Sequence, residues 1–196
     1  MSTPDVAVLH GILDAAKVAH VAFVDDGGPV NIPVAAARDG DRLLLHGSTG
    51  SRLFRTLAAG AQVCVTVTLL DGLVMARSAF ESSMHYRSAM IFGVPVEVAD
   101  KVPALHAMSE AWMPGRWETL RTPTSKELAA TLVLSLALDE WSVKISNSDP
   151  DDPPGDLDQP VWAGVLPITT SYGAAVPAPD LRGDPPVPAY VETWRP

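Results

Sequence analysis

The chain has 196 residues, 47% apolar, 6% aromatic and 19% charged, and 14 Lys and Arg against 23 Asp and Glu leave a formal charge of −9. That is one domain's worth of sequence, long enough to bury a core without a metal or disulfide scaffold, since a chain of about 150 residues already hides roughly 70% of its unfolded surface. A single cysteine, Cys64, excludes a disulfide framework and a paired-thiolate zinc site, and the acidic balance excludes the positive field that nucleic-acid binding requires.

In chain order, Val6, Leu9, Ile12, Leu13 and Ala16 recur at helical spacing behind Thr3-Pro4-Asp5, read as cap, first-turn proline and first-turn acid. Asp5 also stands where a secretion signal would carry positive charge. No run reaches the roughly 18 apolar residues of a membrane span, so the expectation is a cytoplasmic protein with no membrane partner. Short runs rich in branched residues follow at 18–24, 30–37, 42–46, 61–69, 73–80 and 87–98. Turn chemistry bounds them at Asp26-Gly27-Gly28, Asp39-Gly40-Asp41 and Asp71-Gly72, which predicts strands of one antiparallel sheet. The Asp71-Gly72 pair predicts a tight hairpin.

Between the third and fourth runs, Leu53, Phe54, Leu57 and Ala58 form a helical stripe that Ser48 or Ser51 can cap and Gly60 can end. Helices are predicted over 102–113 and 125–131, and a strand over 134–145. Six or seven strands with intercalated helices predict a mainly β fold, a closed or nearly closed antiparallel barrel. Residues 147–160 hold five aspartates and no cation, and 11 of the 18 prolines fall in the last 50 residues. The first stretch reads as a solvated connector. Strand character returns from Val161, and the proline-punctuated tail is expected to lie extended over a surface. The organisation is thus a core (1–146), an acidic connector (147–160) and a C-terminal segment (161–196) completing the same domain.

Two segments carry candidate chemistry. His46 to Arg52, HGSTGSR, joins a strand to a helix, and its free backbone N–H groups with the Arg52 guanidinium suit a phosphate. Turn geometry alone also calls for Gly and Ser there. The segment is neither a P-loop nor a dinucleotide fingerprint. In 76–93, Arg77, His85, Tyr86 and Arg87 lie among serines, a mixture that suits an anionic planar ligand or an ordinary hydrated loop. His10, His20 and His106 read as packing or surface residues, which leaves His46 and His85 for proton transfer or ligation. No Ser-His-Asp triad is evident. Trp112, Trp117 and Trp141 are expected in the core, whereas Trp162, followed by Ala163-Gly164, is free to cover a ligand.

Through the pieces LLLHGSTGSRLFR, VCVTVTLLDGLVMARSAFESSMHYRSAMIFG and PVWAGVLP, the chain resembles the pyridoxamine 5′-phosphate oxidase-like FMN-binding split barrels over about 18–167. The resemblance implies a six- to seven-stranded antiparallel split barrel and a homodimer with two FMN molecules in the clefts between subunits. It implies that His46 and Gly47 end a strand beside the phosphate and ribityl chain, and that Ser51 and Arg52 hold the phosphate. It places Arg87 and Ser88 facing the isoalloxazine, Pro33 and Val34 along the ring with backbone groups, and Trp162 on the flavin across the interface. Two departures matter. Basic residues of the family's second strand correspond here to Asn31 and Ala36, which leaves more of the charge to Arg52 and Arg87 and admits a related cofactor such as deazaflavin. In place of the oxidases' Arg-rich C-terminus stand Pro177-Ala178-Pro179-Asp180 and Pro185-Pro186, so pyridoxamine phosphate is not the expected substrate.

The implied function is an FMN-dependent oxidoreductase acting on a small organic substrate, with the flavin supplying the reactive atom and His85 and Tyr86 as candidate substrate contacts. A nitroimidazole reductase is a close variant, which His46 resembles. Two other classes stay open. One is a haem-binding or haem-degrading split barrel with His46, His85 or His106 as axial ligand, and the other is a non-catalytic flavin-binding protein. No metal site is expected.

Overall fold

Asp5 starts the first helix: its carboxylate accepts from the Ala7 N–H at 2.9 Å, so it serves as the cap rather than as a first-turn acid. Thr3 and Pro4 lie outside residues 5–194, which the computed structural model describes. Helix α1 (Val6–Ala15) buries the expected stripe of Leu9, Ile12 and Leu13. Strands β1 (Val18–Asp25) and β2 (Gly28–Asp39) form a hairpin closed at Asp25 opposite Gly28, where Gly28 takes φ 107°, a conformation that favours glycine. The twelve residues of β2 serve two neighbours. Its first part pairs with β1, and Ala36–Asp39 pair with β3 (Arg42–Ser48).

Helix α2 (Arg52–Ala58) then leads into β4 (Val63–Met75) and β5 (Ser83–Gly93). The hairpin expected at Asp71-Gly72 is a correction: 63–75 is one continuous strand, and the register slips there through a bulge between Leu70 and Gly72. Pairing with β5 on one side and β9 (Gly164–Pro167) on the other holds the chain extended. Gly72 serves a close approach, since a Cβ there would lie 3.1 Å from the Leu166 carbonyl oxygen. The predicted strand over 134–145 is likewise two strands. After β6 (Val96–Glu97), α3 (Lys101–Trp112) and α4 (Ser125–Ala130), β7 (Thr131–Ala137) pairs with β3 and β8 (Glu140–Ser146) pairs with β5.

The nine strands among the described residues are antiparallel throughout, in the order β6-β7-β3-β2-β1-β4-β5-β8 with β9 beside β4. This sheet curls into the expected split barrel, with more strands than were counted from the sequence. Its interior holds Val21, Phe23, Leu43, Leu45, Val65 and Ile91 under α1 and α2. On the other face of β3 and β7, Leu44 and Val133 pack against Ala104 and Met108 of α3. Residues alternating along β3 thereby feed two cores. The outer face of β1, β4 and β5 stays open, with Val18, Val24 and Met90 each 41–73% exposed. No helix among the described residues is long and apolar enough to cross a membrane.

The acidic connector is less solvated than its composition suggests. The Asp152 side chain is 1% exposed, and its oxygens accept from the Arg77 backbone N–H at 2.7 Å and from Arg77 Nη1 at 3.0 Å. The tail is exposed over 171–189, and its short helix, α5 (Ala189–Glu192), meets the residues that follow α3. Tyr190 Oη accepts from Arg116 Nη1 at 3.0 Å, and the Trp194 ring sits 5.9 Å from Tyr172.

Asp152→Ala is expected to destabilise the fold by about 2–3 kcal/mol, below the range for a wholly buried pair because Arg77 is 27% exposed. Urea denaturation of both single variants and the double variant checks this. Additive losses would mean that the pair is not coupled.

Candidate functional site

At the end of β3, strand alternation sends His46 and Gly47 to opposite sides. His46 shares the α3 side with Leu44, and its ring centroid lies 5.6 Å from that of Trp112, whose Nε1 donates to the Ala36 carbonyl at 3.0 Å. The Nδ1 of His46 is buried with no hydrogen-bond partner, and burial lowers the imidazole pKa, favouring the neutral ring. Gly47 faces inward, where a Cβ would come within 2.2 Å of the Phe54 ring. Its missing side chain thus has a packing reason, the seating of α2 on β3.

The loop that follows satisfies itself. Ser48 Oγ accepts from the Gly50 N–H at 3.1 Å, the Ser51 N–H donates to the Ser48 carbonyl at 3.0 Å, and the Thr49 N–H donates to Ala130 O. Ser51 occupies the cap position of α2, yet its hydroxyl makes no capping bond, and Ser48 serves the loop instead. This corrects the expected side-chain cap. Gly60 ends the helix at φ 95° as predicted. Arg52 forms an ion pair with Asp25, whose other oxygen accepts from the Gly27 N–H at 2.8 Å. The Gly27 N–H and then Arg52 hold the Asp25 carboxyl below its usual range. Asp25, Asp26, Arg52, Arg55 and Thr56 line an open crevice of about 680 Å³.

The second segment forms an arm of β4, β5 and β9. Arg87 grips Asp71 with two bonds, Nε and Nη2 at 2.8 and 2.7 Å, which lowers the Asp71 carboxyl pKa and raises that of the guanidinium. The two residues line a crevice of about 720 Å³ with Lys17, Val18, Thr68 and Tyr172. Ser88 lies on the open outer face of β5 with Tyr86, whose ring is 5.7 Å from Lys144 Nζ. His85 Nε2 donates to the Ser148 carbonyl at 2.9 Å, so the connector occupies it. On β2, Pro33 is exposed on the open face opposite His20, while Val34 packs onto the core. Trp162 is 66% exposed, and its ring covers Gly164, where a Cβ would come within 2.9 Å. Of the other tryptophans, Trp141 joins the barrel core and Trp112 the α3 core, each only partly buried, while Trp117 stacks on His106 at 5.3 Å.

These residues do not converge within the single chain. Arg52 is fixed at the Asp25 end of β1, whereas Arg87 shares a crevice with Val18 at its start. Seven strand steps separate the two ends, about 23 Å. Trp162 is farther out, next to a strand that begins opposite Met75. Sequence reasoning missed Asp25, and it took Asp71 only as a turn residue and Trp112 only as a core residue. The Asp25-Asp26-Gly27 order was the available signal for the first, because an aspartate commonly accepts from the N–H two residues on.

A family model described as pyridoxamine 5′-phosphate oxidase matches residues 5–145. Among solved structures, the FAD and haem binding protein from Mycobacterium smegmatis is 48% identical, with 97% of this chain and 95% of that one covered at a TM-score of 0.94. The flavocytochrome Anf3 from Azotobacter vinelandii is 38% identical, with 97% and 90% covered at a TM-score of 0.91. A protein from Bacteroides thetaiotaomicron named for 5-nitroimidazole antibiotic resistance, 21% identical over 72% of this chain and 84% of its own at a TM-score of 0.61, shows likeness of fold alone. No curated protein matches the sequence.

Gly47→Ala is expected to cost about 1–3 kcal/mol through the clash with Phe54, read as a lower urea midpoint; an unchanged midpoint refutes the packing role. The depressed His46 pKa also sets a sign. The unfolded chain binds this proton at a higher pH than the folded one, so His46's contribution is complete above about pH 6.5 and is lost as pH falls through its folded pKa. Denaturation midpoints at pH 7 and 5 should fall less in His46→Gln than in the parent.

Proposed function

This chain belongs to the pyridoxamine 5′-phosphate oxidase family, and from that premise we propose that it is a flavin-binding oxidoreductase acting as a homodimer on a small organic substrate. The observation that carries the reading is the 48% identity, along 97% of the chain, to a protein that binds FAD and haem. That protein's name gives FAD where the motifs of this sequence implied FMN, and we take the dinucleotide as the cofactor.

The geometry supports the dimer. The corner at Arg52 and the arm bearing Arg87, Tyr86 and Trp162 stand at opposite ends of an open sheet face. Two copies paired through that face bring the arm of one to the corner of the other. Arg52 and Ser51 then hold phosphate at the open corner, Pro33 and Ser88 lie along the ring, and Trp162 covers it. The flavin supplies electron transfer, and the chain binds it, orients it and excludes water. Tyr86, beside Lys144, remains the better substrate contact because His85 is tied to Ser148.

His46 favours a second ligand, haem. His106 is half exposed, 4.0 Å from Glu118, and His85 is occupied, but His46 keeps a buried nitrogen unpartnered and a pKa that favours the neutral ring, the form that binds iron. Its ring centroid lies 5.6 Å from that of Trp112, and a haem ligated by His46 would add a one-electron partner to the flavin.

The test is an absorption spectrum of the purified protein, with mass spectrometry of the small molecules released on denaturation. FAD is expected, and haem on the second reading. Arg52→Ala should weaken flavin binding at least tenfold, about 1.4 kcal/mol, and His46→Ala should remove a Soret band while sparing the flavin. A colourless protein that takes up neither added FAD nor FMN refutes the flavin reading. A monomer in sedimentation refutes the shared site.

A further inference from the structure

We propose that Asp25 determines flavin specificity: seated against the Arg52 guanidinium, its carboxylate favours a dinucleotide, whose inner phosphate carries one charge, over a mononucleotide, whose terminal phosphate carries two. This rests on the reading of that corner as the flavin phosphate site. It concerns which flavin the corner accepts.

Asp25 ends β1 with its side chain 11% exposed, and its two oxygens have different partners. One accepts from the Gly27 N–H at 2.8 Å within the β1–β2 turn, and the other accepts from Arg52. The turn bond fixes the carboxylate whether or not Arg52 engages a ligand. Arg52, 71% exposed, is the partner that can reorient. An anion arriving at the guanidinium therefore meets a stationary negative charge.

The surroundings offer no surplus cation. Asp25 and Asp26 from the turn face Arg52 and Arg55 from α2 across the crevice, two charges of each sign. The crevice's 680 Å³ leaves room for the second half of a dinucleotide, with Thr56 and Asp26 placed along its walls. A phosphate monoester has a second pKa near 6 and approaches two charges at pH 7, whereas each phosphate of the dinucleotide's bridge carries one. An extra unit charge about 5 Å from Asp25 is worth roughly tenfold in affinity, between the bulk-water and protein-surface limits. The Asp25 carboxyl is held below its usual range and stays charged from pH 5 to 8.

The experiment titrates the ligand-stripped full chain with FAD and with FMN at pH 7.5 and 5.5, following flavin fluorescence. The parent is expected to bind FAD about tenfold tighter at pH 7.5, with the gap closing at pH 5.5 as FMN takes its second proton. Asp25→Asn keeps the acceptor for Gly27 and removes the charge, so at pH 7.5 FMN affinity should rise about tenfold more than FAD affinity does. Asp25→Glu, which keeps the charge, should keep the preference and guards against a folding defect in the amide variant. A parent that prefers FMN, or an FMN-to-FAD ratio unchanged in Asp25→Asn, overturns the role of Asp25 and leaves flavin binding standing. A parent that binds neither flavin overturns both.

Discussion

The Phe54 ring occupies the space that a side chain at Gly47 would fill, and the candidate phosphate corner depends on that contact. With no side chain at Gly47, the first turn of α2 closes onto the end of β3, and Leu53, Phe54 and Leu57 enter the barrel core. The same seating sets Arg52 at the rim, within reach of Asp25 on β1. A methyl group at position 47 would push on the ring, and through it on the helix that carries the guanidinium. Packing thus comes first here, and the electrostatics of the corner follow from it.

The candidate cations share one condition: each already has a carboxylate. Arg52 meets Asp25, Arg87 meets Asp71, and Arg77 meets Asp152. The three pairs differ in burial, and so in what they do. Asp152 is sealed, and its pair fastens the connector to the β4–β5 turn. Asp71 and Arg87 are more than a third exposed, in high dielectric where such pairs contribute little stability and can exchange partners with a ligand. In a chain of charge −9, an anionic ligand would be recognised where a guanidinium can leave its carboxylate.

Alternation along the strands divides labour between faces. On β3 it gives one core to the barrel and another to α3; on β2 it turns Pro33 outward and Val34 inward. On β1, β4 and β5 it leaves a face of Val18, Val24 and Met90 that no described element covers. A second copy of the chain would give this face the partner that single-chain packing does not.

Much was readable from the residues alone. Periodicity gave α1, the α2 stripe, α3 and the first three strands within a few residues, because each is a local pattern with its own capping or turn chemistry. The glycine- and serine-rich segment at His46–Arg52 could be singled out for the same local reason. Tertiary pairing decided the rest. Asp71-Gly72 is a bulge because β5 and β9 bond to β4 on either side and keep it extended, while 134–145 divides because its halves pair with different strands. The sequence likewise names arginines and aspartates without saying which will meet. Those meetings span up to 75 residues of chain, and only the curl of the sheet brings such distant positions within bonding distance.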